Sequence, residues 1–181
     1  HDEDLFGHYG AVQLLLVSLE GSSSNLSEPG LVRRASSSPD GEYFLVEVIH
    51  QPFSYLVPNQ RFPRRFEVLN AQGDLAWQLA DLPLAEEVPI GRGAVPTGPR
   101  SVNWRSDTGA TLYWVEARDG GDPRADVDIR DVVLAMEAPF TGEPEEIIAL
   151  GMRYAGITWG NGDLALVSEN WWSSRQIRTW M

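Results

Sequence analysis

Cysteine and lysine are both absent from this 181-residue chain. Without cysteine, neither a disulfide framework nor a thiolate metal site can form. The fourteen basic residues are all arginines, and 26 acidic residues bring the net charge to −12. That balance disfavours nucleic acid as a partner, because phosphate binding needs a clustered basic surface. No apolar run approaches membrane-spanning length, so no membrane partner is expected either.

The signatures of several enzyme classes are also missing. A serine hydrolase needs a Gly-x-Ser-x-Gly turn with a histidine and an acid. This chain has no such turn, and its only histidines are His1, His8 and His50. Gly91-Arg92-Gly93 lacks the further glycine and the lysine of a phosphate loop. Asp119-Gly120-Gly121-Asp122, followed by Asp126, Asp128 and Asp131, matches no calcium-loop spacing and is interpreted as an acidic, solvated loop. The sequence therefore predicts no catalytic residue, no metal and no cofactor here.

What the chain does contain is an internal repeat. Residues 31–48, 102–116 and 157–169 each read as a strand, a tight polar turn and a second apolar strand. Repeated self-similarity of this kind predicts a radial β-array, that is, a β-propeller. A β-sandwich is the structural alternative. No stretch carries a sustained helical period, and only residues 82–88 could form a short helical turn.

A second hairpin follows the first two repeats, at 64–80 and 131–150. Four-stranded sheets arranged around an axis are propeller blades. The chain is therefore expected to be all-β, with about two complete four-stranded blades flanked by two partial ones. The predicted units are a partial blade at 1–30, a blade at 31–80, an inter-blade loop at 81–100, a blade at 101–150 and a partial blade at 151–181.

The longest irregular segments all fall at one end of the predicted strands. In a four-stranded meander, the second-to-third turns and the inter-blade connections share that end. The segments 51–63, 118–130 and 81–100 occupy those places. Long loops on a rigid scaffold are where binding usually resides, so this end is the candidate functional surface.

Charged side chains in these loops are the candidate substrate-facing residues: Arg61, Arg92, Arg100, Glu86 and Glu87. Guanidinium groups bind carboxylates bidentately, so clustered arginines in an acidic chain could hold an acidic ligand. Ion pairs between the loops are the alternative interpretation.

The tryptophans offer two further interpretations. Trp104, Trp114 and Trp159 occupy matching places within the repeats, which favours packing between blades. Trp171-Trp172 is ambiguous, because adjacent strand residues face opposite sides.

Several long runs resemble one family. They are Ile49-His50-Gln51-Pro52-Phe53-Ser54-Tyr55-Leu56-Val57-Pro58, Asp81-Leu82-Pro83-Leu84-Ala85-Glu86-Glu87-Val88-Pro89-Ile90 and Gly98-Pro99-Arg100-Ser101-Val102-Asn103-Trp104-Arg105. All three resemble the N-terminal propeller of glutamyl endopeptidases, which are members of the prolyl oligopeptidase family of serine peptidases. The resemblance covers nearly the whole chain.

The resemblance implies a longer parent protein, in which a C-terminal α/β-hydrolase domain carries the catalytic serine, aspartate and histidine. The propeller would then gate peptide access and help to form the substrate cavity, and the fragment alone would be inert. Its partners would be a peptide substrate and the hydrolase domain, in the cytoplasm or a plastid rather than a membrane. Open sheet edges could also lead to self-association. The alternative is a stand-alone propeller that binds a protein or a polyanionic ligand.

Overall fold

A computed structural model describes residues 2–89 and 91–181; Ile90, in the predicted inter-blade loop, lies outside the described residues. These residues form one α-helix, α1 (Asp2–Gly10), and a 3-10 turn at Asn59–Arg61. They also form thirteen strands: β1 (Leu15–Val17), β2 (Ser23–Asn25), β3 (Leu31–Ser37), β4 (Tyr43–Ile49), β5 (Arg64–Asn70), β6 (Leu75–Leu82), β7 (Arg100–Trp104), β8 (Thr111–Ala117), β9 (Asp131–Glu137), β10 (Glu145–Leu150), β11 (Arg153–Asn161), β12 (Leu164–Trp171) and β13 (Gln176–Trp180).

The strands form four antiparallel sheets, none of them closed, and every sheet pairs strands in chain order. β3-β4-β5-β6 and β7-β8-β9-β10 are four-stranded meanders, β11-β12-β13 is a three-stranded one, and β1-β2 is a short hairpin. This is the all-β architecture of part of a β-propeller, as the repeat predicted. The chain divides into two compact units, the first ending at Glu86 and the second beginning at Glu87.

In the first unit, the central strands β4 and β5 carry most of the core. Val46 and Leu69 cluster with Leu26, which follows β2, so the small hairpin packs against the four-stranded sheet. The turn between β3 and β4 is fixed by Asp40, whose carboxylate accepts hydrogen bonds from the Ser38 hydroxyl at 2.6 Å and the Glu42 amide at 3.0 Å. Such Asx turns are the physical basis of the recurring polar turn signal.

In the second unit, the core lies between the two sheets. Tyr113, Val133 and Leu150 of one sheet cluster with Val167 of the other. Trp159 lies against Tyr113, with ring centroids 5.4 Å apart, so this tryptophan packs between sheets as predicted.

Two elements depart from the predictions. The helix α1 was not predicted, because none of its residues is buried and it therefore lacks an apolar face of helical period. Residues 82–88 contain an ordinary turn and no helix.

The last strand, β13, is exposed throughout and pairs only with β12 among the described residues. Self-association through such an edge stays a prediction, which light scattering at high protein concentration can test.

Candidate functional site

In the first unit, the loop between β4 and β5 contacts the end of β6 and the segment that follows it. The His50 ring lies 2.7 Å from the Asp81 carboxylate, and the Ala85 amide donates to the Arg61 carbonyl at 2.9 Å. The Ser54 hydroxyl donates a short hydrogen bond to Glu86. Within this unit, the long segments therefore lie at one end of the sheet, as the meander order predicted.

The side chains of these contacts are accessible to solvent. Arg61 ends the 3-10 turn and is partly exposed, and Glu86 is exposed. The partner of Glu86 is the Ser54 hydroxyl and not an arginine. A hydrogen bond of this kind at an exposed surface contributes modestly to stability, so the Ser54–Glu86 contact holds the two segments together only weakly.

An apolar pocket beside this loop was not predicted. Its volume is about 280 Å³, and it is lined by rings from α1 and from the loop. Phe6 lies edge-to-face on Phe53, with centroids 4.9 Å apart, and Phe53 lies 5.6 Å from Phe62. The separation of Phe6 from the two loop phenylalanines along the chain explains why sequence patterns gave no sign of the pocket.

In the second unit, the segment before β7 contacts the loop between β8 and β9. The Val95 amide donates to the Gly121 carbonyl at 3.2 Å. Gly121 has a φ of +77°, and a Cβ atom there would lie 1.9 Å from the Val95 carbonyl oxygen. Only glycine fits where the two segments cross, which explains why residue 121 is a glycine.

A buried ion cluster lies directly beneath this crossing, with Arg153 at its centre. Arg153 is only 5% exposed. Its guanidinium donates to both oxygens of Asp119, at 2.7 and 2.9 Å, and to Asp131 at 2.9 Å. It also donates to the Gly93 carbonyl at 2.7 Å. One side chain thus joins β11 to both long segments of the unit.

Two further arginines complete this group, which we call the Arg153 cluster: Arg153, Arg100, Arg130, Asp119 and Asp131. Arg100 pairs with Asp131, which is fully buried, and Arg130 donates to Asp119 at 2.9 Å. Three cations therefore surround two carboxylates. The Asp131 carboxylate also accepts from the Tyr154 amide at 2.7 Å, so its oxygens are satisfied, as buried charge requires.

The cluster changes the acidity of its members. Burial alone would raise the pKa of Asp119, but the hydrogen bonds and charge of Arg153 outweigh it and hold that pKa below its usual range. Burial lowers the pKa of Arg100, while its ion pair with Asp131 opposes that shift. The interpretation of Asp119 as part of a solvated acidic loop is therefore wrong: the carboxylate is buried because three chain segments meet on it.

Arg92 lies outside the cluster, on an exposed tryptophan. Its guanidinium carbon is 3.4 Å from the centroid of the Trp172 ring, and that of Arg175 is 4.4 Å from the same ring. The neighbouring Trp171 is partly buried and packs against Gly93 and Arg130. The ambiguity of the tryptophan pair is resolved: Trp171 anchors the loop, and Trp172 faces solvent with two cations over it.

The five predicted site residues are divided between the two units. Arg61 and Glu86 belong to the first unit, and Glu87, Arg92 and Arg100 to the second. Glu87 is exposed in a turn. Arg100 is committed to Asp131, whereas Arg92 has no carboxylate partner among the described residues.

Sequence reasoning missed Arg153 and Arg175, and it wrongly assigned Asp131, which is fully buried, to the solvated acidic loop. Arg153 and Asp131 left a signal, since a charged residue begins each of the apolar strands β9 and β11. Arg175 left none, because its partner is an aromatic ring rather than a charge.

The described part of the chain contains neither a candidate metal site nor a candidate membrane-spanning helix. No group of three or more histidine, aspartate or glutamate side chains there is arranged to hold a metal ion. No described helix has both the length and the apolar character to span a membrane.

The fold and the loop contacts define the class of protein. The chain is part of a β-propeller, and within each unit its long loops meet at one end of the sheet. Comparison with known proteins shows what the chain is similar to. Over its whole length the chain is 43% identical to a protein of Oryza sativa subsp. japonica named "Probable glutamyl endopeptidase, chloroplastic" and 44% identical to an Arabidopsis thaliana protein of the same name. The predicted resemblance to glutamyl endopeptidases is thereby confirmed.

The similarity covers only part of these relatives. The chain spans 20% of the rice protein and 19% of the Arabidopsis protein. No protein-family profile matches the chain, and no solved structure matches it.

Proposed function

We propose that this chain is the non-catalytic propeller portion of a serine peptidase, and that it gates peptide access to a separate α/β-hydrolase domain. The observation that carries the proposal is the match of the whole chain to one fifth of two proteins named glutamyl endopeptidase. Within each unit, the contacting long loops supply an irregular surface at one end of a rigid sheet, which suits a substrate-facing role.

The charges of this surface support a preference for acidic peptides. In a chain of net charge −12, arginines that reach solvent in the loops are local exceptions that attract carboxylates. Arg61 and Arg92 are the groups proposed to do so. Arg100 would act indirectly, by holding Asp131 and the end of the segment before β7.

The proposed role in gating can be tested in the full-length protein by substrate size. A short peptide with an internal glutamate should be cleaved much faster than a folded protein rich in exposed glutamates, because a propeller over the active site excludes bulky chains. Equal rates per accessible glutamate would contradict gating. The 181-residue chain alone should show no peptidase activity in the same assay.

The proposed charge role is tested by Arg61→Ala and Arg92→Ala in the full-length protein. Each should lower kcat/KM for a glutamyl peptide several-fold, while leaving a matched glutaminyl peptide unchanged. Arg124→Ala is the control, since its side chain is 83% exposed and pairs only with the nearby Asp122. Unchanged kinetics for both test variants would remove the charge role.

A further inference from the structure

The apolar pocket of the first unit lies beside the loop between β4 and β5. Its volume is about 280 Å³, slightly below the roughly 300–1,000 Å³ of pockets that enclose a whole small molecule. Two of the rings that line it stay accessible, since Phe6 is 37% exposed and Tyr55 is 73% exposed. Exposed rings that share one concave surface are typical of binding sites. The size of the pocket suits one large side chain.

The sheet brings the two walls of this pocket together. On the loop side, Phe62 is only 9% exposed and lies two residues before β5. On the helix side, the chain after α1 is tied to the start of β3, because the Val12 amide donates to the Gly30 carbonyl at 2.9 Å. Phe6 then lies on the loop, with its ring centroid 6.1 Å from that of Phe62. The pocket therefore exists without a ligand, which lowers the cost of filling it.

The charge around the pocket is negative. Among the described residues that line it, Asp2 and Glu3 are acidic and none is basic. Partial desolvation raises the pKa of the Tyr55 phenol, and the negative charges of α1 raise it further. Acidic residues in a first turn stabilise the helix itself. Here they also lie at the edge of an open aromatic pocket, where a cation on a ligand would find a partner.

We propose that this pocket binds a large apolar side chain of a peptide substrate at a point where the neighbouring residue is basic. We call it the α1 pocket, after the helix that forms one wall; its residues are Asp2, Glu3, Phe6, Phe53, Tyr55 and Phe62. The apolar side chain packs among the phenylalanine rings, which favour edge-to-face contacts, and the basic side chain meets the two carboxylates.

The α1 pocket therefore recognises a part of the peptide other than its glutamate, since Asp2 and Glu3 would repel a third carboxylate. That the ligand is a peptide substrate rests on the proposed function. The apolar and cationic character of the bound segment follows from the pocket alone.

The test is a titration of the 181-residue chain with acetyl-Phe-Arg-amide, followed in NMR spectra by the ring signals of carbon-13-labelled phenylalanine. The signals of Phe6 and Phe53 are assigned by their loss in Phe6→Leu and Phe53→Leu. The expected result is a saturable shift of both signals, weakened by salt. Acetyl-Ala-Arg-amide, which lacks the ring, and acetyl-Phe-Glu-amide, which reverses the charge, should each bind at least tenfold more weakly. Equal binding of either peptide would overturn the proposal.

The apolar wall is tested by Phe6→Ala, followed through the Phe53 signal. This variant should bind acetyl-Phe-Arg-amide at least tenfold more weakly. Because α1 buries no residue, the free energy of unfolding in urea should stay close to that of the wild type. Tyr9→Ala is the matched control, since Tyr9 belongs to the same helix, is 80% exposed and does not line the pocket. Equal binding by Phe6→Ala and Tyr9→Ala would overturn the proposal.

The acidic edge is tested by the double variant Asp2→Asn/Glu3→Gln. It should bind acetyl-Phe-Arg-amide several-fold more weakly, and its remaining binding should no longer depend on salt. Glu20→Gln/Glu28→Gln removes the same charge from two exposed positions elsewhere in the unit and should bind as the wild type does. Equal binding by the two double variants would contradict the role given to the carboxylates.

A second copy of the chain is another possible occupant, and the same spectra test it. The Phe6 and Phe53 signals should stay in place when the concentration of the chain alone is raised. Movement of both signals would mean that another copy fills the α1 pocket, and would overturn the proposal.

The α1 pocket and the proposed function can fail separately. Binding of acetyl-Phe-Arg-amide, combined with no glutamyl peptidase activity in the full-length protein, would keep the pocket and overturn the proposed function. Glutamate-selective cleavage without this binding would keep the proposed function and overturn the pocket.

Discussion

The two units of the chain share one architecture but hold their long loops by different means. In the first unit, a buried carboxylate joins strands: Glu47 of β4 pairs with Arg33 of β3 at 2.6 Å and with Arg64 of β5 at 3.3 Å. The His50–Asp81 pair between its long segments is accessible to solvent. In the second unit, the buried charges of the Arg153 cluster lie under the loops themselves.

Loop length alone does not decide how firmly a loop is positioned, since the two units hold loops of similar length by different contacts. A buried ionic cluster fixes the geometry of its segments, because any displacement separates paired charges in a poorly solvated place. Exposed pairs exert little such restraint. The second unit is therefore the better candidate for accurate positioning of a ligand, and the first for an adaptable loop.

The largest expected effect comes from Arg153→Met. Removing the central cation leaves Asp119 and Asp131 with fewer partners, and breaking a buried pair in this way costs about 3–5 kcal/mol. Arg33→Met in the first unit is the matched comparison. Arg33 is partly exposed, and Glu47 retains Arg64, so a loss of about 1 kcal/mol is expected there. Urea unfolding of the two variants gives both free-energy losses. Equal losses would contradict the claim that the two units depend on their ion pairs to different degrees.

An intermediate effect is expected in acid. The pKa of Asp119 is lower in the folded chain than its ordinary value of 3.8, so its contribution to stability is complete above that value and is lost as the pH falls through the folded pKa. Asp119→Asn should be less stable than the wild type at pH 7. Below pH 3.8 the variant should lose less stability than the wild type does. The midpoint of thermal unfolding, measured between pH 7 and pH 2.5, gives both differences.

Asp40→Asn provides the matched variant in the first unit. Hydrogen bonds from Ser38 and from the Glu42 amide hold the pKa of Asp40 below its usual range, but this carboxylate is exposed. Asp40→Asn should therefore reduce the loss of stability in acid by less than Asp119→Asn does. A larger change at Asp40 would contradict the assignment of the acid sensitivity to the buried cluster.

The smallest effect is expected from Asp81→Ala in the first unit. The His50–Asp81 pair is accessible, with side chains 32% and 47% exposed, so its loss should change the free energy of unfolding by less than about 1 kcal/mol. Urea unfolding at pH 7 measures it. A loss comparable to that of Arg153→Met would mean that the first unit also depends on a single ion pair.

Much of the fold was predictable because its signals are local. β5 and β9 begin at residues 64 and 131, where the two second hairpins were predicted to begin, since apolar strands bounded by turns such as Asn70–Asp74 can be recognised in the sequence. The helix α1 was not predictable from its residues, because it has no buried face.

The candidate site was predictable only in outline. Meander order places the long loops at one end of each sheet, but it does not tell which arginines are buried. Arg100 and Arg92 look alike in sequence, and yet one pairs with Asp131 while the other stacks on Trp172. That difference arises from contacts between segments far apart in the chain, which no local pattern records.

Amide hydrogen exchange in the wild type and in Arg153→Met tests whether the buried cluster holds the loops of the second unit. Faster exchange is expected in residues 91–100 and 118–130 of the variant, with residues 51–63 exchanging as before, because only the second unit's loops depend on the buried cluster. Unchanged exchange in 91–100 and 118–130, or equal acceleration in 51–63, would contradict it.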